Sequence, residues 1–503
     1  MSTTNRREFV VTGLGAVALS TAIFRSVQGW LGQAGQYAGH NLARPLTGAL
    51  TPPAAADIDP VAHLLNRFTF GPVPGDHARV TAMGIDAYLD EQLTPETIDD
   101  GLCDRAIARF AEAWWEPLGE AYEESAEALT PILRRVTLLR AIYSRRQLLE
   151  VMCGFWSDHF NIDPGKGDCR FTKIDDDRRV IRGHALGSFR AMLRASALSP
   201  AMLWYLDGRA NTRLTPGERP NENYARELME LHTLGIHGGY TQTDVMEVAR
   251  CLTGWTILAK QDDGFSGKLL SPFKDRAKVV FRQEAHDDGP KRVLGHEIPA
   301  GLGEGDLDRV IDIVAGHPST ARFIAGKLCI RFIADEPPAA AVEAVAKSFS
   351  DSGGDLKATL RTLVATPEFR GAAGLKFKRP IHFIVSALRA TNAATDADRG
   401  ILSHLERMGQ VPFGYPTPDG YPAAASHWHA TLLWRWKFAI ALANNRIKGT
   451  RIQRATLAKA LGGDAALMAS LLNRQASSIE SDACLKSGDD LALLLASPAF
   501  QRC

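Results

Sequence analysis

The sequence predicts a mainly α protein: a large multi-helix domain with a small β-hairpin or loop insertion. Three observations carry this. From Asp59 onward, apolar residues recur at the three-to-four-residue spacing of helices buried on one face. Only one window, roughly 260–300, breaks that rhythm with short β-branched runs around a turn. The composition, 45% apolar and 23% charged, is that of a globular chain able to bury a core. At 503 residues it can form two or three ordinary domains, or one large helical domain with insertions.

In chain order, the first segment is set apart. Asn5-Arg6-Arg7-Glu8-Phe9 precedes a weakly apolar run from Val10 to Phe24, too short for a comfortable membrane span. Paired arginines ahead of such a run resemble a twin-arginine export signal, expected over 1–24. Residues 25–58, rich in Gly, Ala, Gln and Pro, read as a linker. The expected location is periplasmic or extracellular, with membrane contact only through the N-terminal signal.

The N-terminal helical part of the core is expected over 59–260. Val61, Leu64, Leu65 and Phe68 form one stripe, closed by Gly71-Pro72. A helix follows from Ile85 to Leu93, and an Ala/Glu-rich amphipathic segment spans 104–128. A long helix is expected from Pro131 to Phe160, with Leu148, Met152, Phe155 and His159 on one face. Next come an Arg-rich helix over 176–197, read as having a wet basic face, and a short buried one at 200–206. Helices over 220–235 and 243–258 close this part, the latter with Trp255 on its apolar face. In the insertion, 261–300, Lys278–Phe281 and Arg292–Leu294 flank the turn Asp287-Asp-Gly-Pro290 and read as a hairpin or extended loop. Helices return over 301–445, interrupted by the Val411–Pro422 loop, and 446–503 reads as a small helical cap.

Charge and cysteine content narrow the function. A net charge of +1 offers no global attraction to nucleic acid. The seven cysteines are scattered without a C-x-x-C pair, so they read as buried thiols. H-E-x-x-H, G-x-S-x-G, P-loop and dinucleotide-binding patterns are absent.

Three stretches carry the chemistry. In Pro220–Gly235, a helical wheel puts Glu222, Asn223, Arg226, Glu227 and Glu230 on one side and Tyr224, Leu228 and His232 on the other. His232 is therefore a core histidine, and a metal site in this helix would need histidines from elsewhere. In Phe155–Phe160, His159 lies on an apolar stripe and needs a buried partner. In His286–Lys291, a His-Asp pair on a tight turn can present a base or a ligand. Tyr421 sits in the aromatic Val411–Pro422 loop, which can form a stacking rim.

These stretches also support a family resemblance. His63–Gly71, Phe155–Phe160, Pro220–Gly235, Asp244–Trp255, His286–Lys291 and Met408–Pro422 together resemble the bacterial family called domain of unknown function 1800. The resemblance implies an exported bacterial protein, frequently encoded beside a sulfatase-like exported family, which is the expected partner. It also implies that Asp158 and His232 occupy positions often held by Asn and Phe. It implies no reaction.

The functional expectation is an extracytoplasmic hydrolase acting on a polar or glycan-like substrate. Glu222 or Glu227 would be the acid or base, and His159, His286 and Asp287 would complete the site. Arg226, Lys291, Asn223 and Tyr421 would hold substrate. A divalent metal ion would bridge His159, His286 and Glu227, so these three should meet in one cleft. The alternative is a non-enzymatic binding or escort partner of another exported protein.

Overall fold

A computed structural model describes residues 58–122, 126–215, 217–258, 276–487 and 490–503. The export signal and all but the last residue of the expected linker lie outside this range. Helices dominate the described residues, and the strands there form only three two-stranded sheets, so the mainly α expectation holds.

The first helix, α1 (Pro60–Phe68), starts where Asp59 accepts hydrogen bonds from the backbone N–H groups of Val61 and Ala62, with Pro60 opening the helix. Everything from Val61 to Phe68 is buried, so this is a core helix rather than a half-wet one.

The long helix expected from Pro131 is two helices, α2 (Ala126–Tyr143) and α3 (Gln147–His159). The break has a polar cause. Buried Asp100 accepts from Ser144 Oγ and Arg145 N, each at 2.7 Å. Gln147 Nε2 then takes the free carbonyls of Ala141 and Ser144. Local side-chain bonds thus outcompete the helix ladder.

The Arg-rich segment is also not one wet helix. It runs as α-helix over Cys169–Asp175, π-helix over Asp176–Ile181 and α-helix again over Phe189–Ala197. Its charges pair inward: Lys173 with Asp176 at 2.6 Å, and Arg182 with both Glu150 (2.9 Å) and Asp177 (2.8 Å). A wet face holds at Arg179, which is exposed beside Asp175, and in the C-terminal portion, where Arg190 and Arg194 meet Asp308 and Asp312 near the surface.

The Pro220–Gly235 stretch folds as α4 (Asn223–Glu227), which continues as a π-helix over Leu228–Thr233. The next helix, α5 (Gln242–Cys251), begins with a Thr241/Asp244 capping box. It ends earlier than expected, because Gly254, at φ +88°, turns the chain into β1 (Trp255–Ile257). A Cβ at Gly254 would lie 2.7 Å from the Arg282 carbonyl oxygen.

The expected hairpin across Asp287–Pro290 does not form. β2 (Val279–Phe281) pairs with β1, while β3 (Lys291–Val293) pairs with β4 (His296–Ile298). The tight turn lies instead at Leu294-Gly295, both at positive φ, as a two-residue hairpin requires.

Three later helices complete the frame of the site: α6 (Pro318–Phe332), α7 (Pro380–Ala390) and α8 (Leu432–Ala443). The tail returns to the body. Lys376 N bonds Cys503 O, Lys378 N bonds Gln501 O, and Arg435 reaches Gln501 Oε1 at 2.9 Å. All seven cysteines are buried. No single helix among the described residues is long and apolar enough to cross a membrane.

Candidate functional site

The C-terminal end of α3 meets the end of the π-helix. His232 lies in the last helical turn, where a carbonyl has no partner within the helix. His159 supplies one: its Nε2 lies 3.0 Å from His232 O. A carbonyl only accepts, so Nε2 carries the proton and Nδ1 keeps a lone pair. Lys327 of α6 donates to that lone pair at 2.9 Å. Burial, with the positive charge of Lys327, holds the imidazole well below its usual pKa, so it is neutral. Burial also lowers the Lys327 ammonium to about 8, against the opposing pull of Asp158 and Asp419.

Lys327 and His159 line a cavity of about 120 Å³. Asp158, Ile330, Arg331, Lys376, Arg379 and His382 also line it, and exposed Asp419 marks its mouth. A smaller lobe of about 70 Å³ adjoins it, sharing Asp158, Arg331, Arg379, His382 and Tyr421. The two lobes meet at an ion pair, Arg379 Nη1 to Asp158 Oδ2 at 2.6 Å.

The 411–422 loop is tied onto α3 rather than left as a free rim. Asn161 Nδ2 donates to the carbonyls of Tyr415 (2.9 Å) and Thr417 (2.7 Å). Tyr205 Oη donates to Pro416 O at 2.8 Å. Gly420, at φ +73°, sits so close to α3 that a Cβ there would lie 2.0 Å from Asp158 O. Tyr421 Oη donates to Val411 O and accepts from Val411 N, which leaves its ring as cavity wall.

The comparisons with known proteins bear on this site. A family model described as a protein of unknown function (DUF1800) matches residues 63–502. The chain belongs to the DUF1800 family. No curated protein and no solved structure matches it. The DUF1800 match spans every side chain of the cavity except Cys503.

Of the residues singled out from the DUF1800 sequence motifs, the cavity gathers His159 and Tyr421. Glu227 lies within electrostatic range of Asp419 at the mouth. Its half-buried carboxylate has no hydrogen bond among the described residues. Burial, then the charge of Glu230, raises its pKa, with Arg226 opposing and Asp419 adding.

The others are engaged elsewhere. Arg226 clamps Glu222 (2.8 Å), Glu230 (3.3 Å) and Gln242 (2.7 Å) at the surface, bridging α4 and α5. The hydrogen bond from Arg226 lowers the Glu222 pKa, which suits a fixed charge rather than a proton carrier. Asn223 holds the preceding loop through Leu206 O at 3.1 Å.

His286, Asp287 and Lys291 form a separate closed cluster. His286 Nδ1 lies 2.9 Å from Thr253 O, and its Nε2 lies 3.2 Å from Asp306 Oδ2. Lys291 bonds both Asp306 Oδ2 and Asp287 O. The Asp287 carboxylate is taken by Arg250, at 2.6 Å, and by Arg213. Burial would raise its pKa, but those hydrogen bonds and that of Gly289 hold it far below the usual carboxylate range. It therefore cannot act as a base near neutrality. None of the three lines either lobe.

The metal expectation is corrected accordingly. His286 is in that closed cluster, and both ring nitrogens of His159 are already bonded. Among the described residues no group of three or more His, Cys, Asp or Glu could hold a metal ion. The residues that sequence reasoning missed are Lys327, Arg331, Arg379 and Asp419. Lys327 and Arg331 stand four apart on α6, with Ile330 between, and so share one helix face. That spacing was the available signal.

Proposed function

We propose that this DUF1800 chain is a hydrolase acting on a small polar substrate, with Lys327 as its base. The observation that carries the reading is the Lys327–His159 contact at the wall of a polar cavity. His159 can only accept at Nδ1, so it takes one N–H of the lysine and turns the remaining amine valences toward the cavity. A lysine near pKa 8 is partly neutral at working pH, which a base requires. The neutral amine removes a proton from water as the hydroxide adds to the electrophilic centre. Glu227, whose pKa is raised by burial and by Glu230, gives a proton to the departing group at the mouth. Proton and hydroxide together complete one water consumed.

The location is proposed as extracytoplasmic, supported by Asn5-Arg6-Arg7 ahead of the apolar run. A sulfatase-like exported protein remains the proposed neighbour. A panel of chromogenic esters, amides, glycosides, sulfate esters and phosphate esters tests the reaction, with purified wild type, Lys327→Met and His286→Ala compared. Turnover lost in the first variant, and kept by the second per folded molecule, supports the reading. Equal turnover in both variants, or none by wild type on any class, overturns it in favour of a binding or escort role.

A further inference from the structure

The cavity holds more positive charge than its own walls balance. Lys376 is paired with Asp335, and Arg379 with Asp158 at 2.6 Å. Arg331 has no such partner. It is enclosed at the junction of the two lobes, and its Nε is buried without a hydrogen bond. No protein acceptor reaches its guanidinium among the described residues. Asp158 and Cys503 offset its charge from a distance, while Arg379 and Arg67 add to the positive field. Lys327, one helical turn away on the same face of α6, bonds among the described residues only to neutral His159.

A guanidinium lining a cavity offers five N–H donors, and leaving the buried Nε–H unbonded is costly. Proteins rarely keep such a group in a cavity unless something fills it. The larger lobe, at about 120 Å³, has room for several waters at about 30 Å³ each, or for one small oxyanion. Planar guanidinium and a lysine amino group together match the donor set that carboxylate, sulfate and phosphate groups accept. His382 adds a buried, unbonded Nε2 at the same wall.

We infer that the two-lobed cavity is an oxyanion-binding site, with Arg331 as its anchor and Lys327 as its second donor. The occupant is a carboxylate, sulfate or phosphate, either free or carried by the substrate. If the hydrolase reading also holds, the substrate is anionic. The inference itself rests on the charge and bonding of Arg331, not on any turnover.

Isothermal titration of the full chain with sodium phosphate, and separately with sodium acetate, in a zwitterionic buffer tests it. One saturable site is expected for at least one of the two anions. Affinity should fall at least tenfold in Arg331→Met and stay within twofold of wild type in Arg451→Gln. Arg451 belongs to a separate open groove and serves as the control for nonspecific attraction. Arg331→Met should also melt no lower than wild type without anion, since it removes an unbalanced buried charge. If that variant fails to fold, Lys327→Met takes its place, with the same loss expected. Absence of saturable binding by wild type, or wild-type affinity in the variant used, overturns the inference. Either result leaves turnover of uncharged substrates a separate question.

Discussion

Lys327 Nζ lies 2.9 Å from His159 Nδ1, and the geometry fixes which partner can give a proton. With Nε2–H bound to His232 O, the imidazole has only an acceptor to offer. Neutral His159 therefore does not compete for protons near neutrality, and the titrating group is the lysine. Its folded pKa, near 8, is depressed from 10.5. Below about 8 the folded state carries the cost of a buried ammonium. Between about 8 and 10.5 the unfolded chain binds the proton more tightly, so stability rises with pH across that window. Because turnover needs neutral Lys327 and protonated Glu227 at once, kcat/KM should follow a bell-shaped pH profile, and the residual activity of Glu227→Gln should keep only the rise through about pH 8. Reductive ¹³C-methylation followed by NMR titration should show a lysine with an apparent pKa near 8 that is absent in Lys327→Met, beside buried Lys378, which is also lowered to about 8 and persists in the variant. A full complement of lysines titrating above 10 would refute the assignment.

Glu227 and Glu222 lie on the same helix surface but should respond oppositely to amide substitution. Glu227 has a raised pKa and no hydrogen bond among the described residues, so Glu227→Gln should cost little stability and at least about a hundredfold in turnover. Glu222 is held by half-exposed Arg226 near the surface, an arrangement worth about 0–1 kcal/mol. Glu222→Gln should therefore leave turnover unchanged and move the urea midpoint only slightly. Parallel steady-state rates and urea melts separate the two, and equal turnover losses would be incompatible with this division.

Gly420 is where the 411–422 loop touches α3, and both its conformation and its contact forbid a side chain. At φ +73°, a Cβ would lie 2.0 Å from Asp158 O. Strain at a positive φ costs about 1–3 kcal/mol, and the overlap must be relieved by moving the loop. Gly420→Ala is expected to lose about 3 kcal/mol in urea unfolding and to disturb the Asp158–Arg379 pair. Wild-type stability in this variant would mean that the loop is not seated on α3.

Much of the scaffold was legible because helical periodicity is local, and the two-faced reading of Pro220–Gly235 held: Tyr224, Leu228 and His232 are buried. That outcome survived even though the helix becomes π from Leu228, because the extra residue brings Met229 and Thr233 inward as well. The helix breaks at Ser144 and Gly254 were not legible. The first depends on Asp100, more than forty residues away, and the second on the approach of the Arg282 carbonyl. The site failed for a similar reason. His-Asp-Asp-Gly reads locally as a presented base, but Arg250 and Arg213 arrive from other segments and occupy the carboxylate. Conversely, Lys327 and Arg331 look like solvated charges until α6 is laid against the end of α3.

The closed Asp287 cluster makes a stability prediction with a definite sign. The folded Asp287 carboxyl titrates far below its usual value, because Arg250, Gly289 and Arg213 hydrogen-bond the charged form and outweigh the burial that would raise it. A depressed folded pKa contributes stability that is present above the unfolded value, about 3.9, and lost as pH falls below it. Removing one partner of a buried pair costs about 3–5 kcal/mol, and solvent around half-exposed Arg213 reduces that toward the lower end. Asp287→Asn should therefore lose about 3 kcal/mol at pH 7, with the gap from wild type narrowing as pH falls below 4. Turnover per folded molecule should not change, since Asp287 lines neither lobe of the cavity. Urea melts from pH 3 to 7, paired with rates at pH 8, give both readouts. A stable variant with abolished turnover would return Asp287 to the site and overturn the separation of the two clusters.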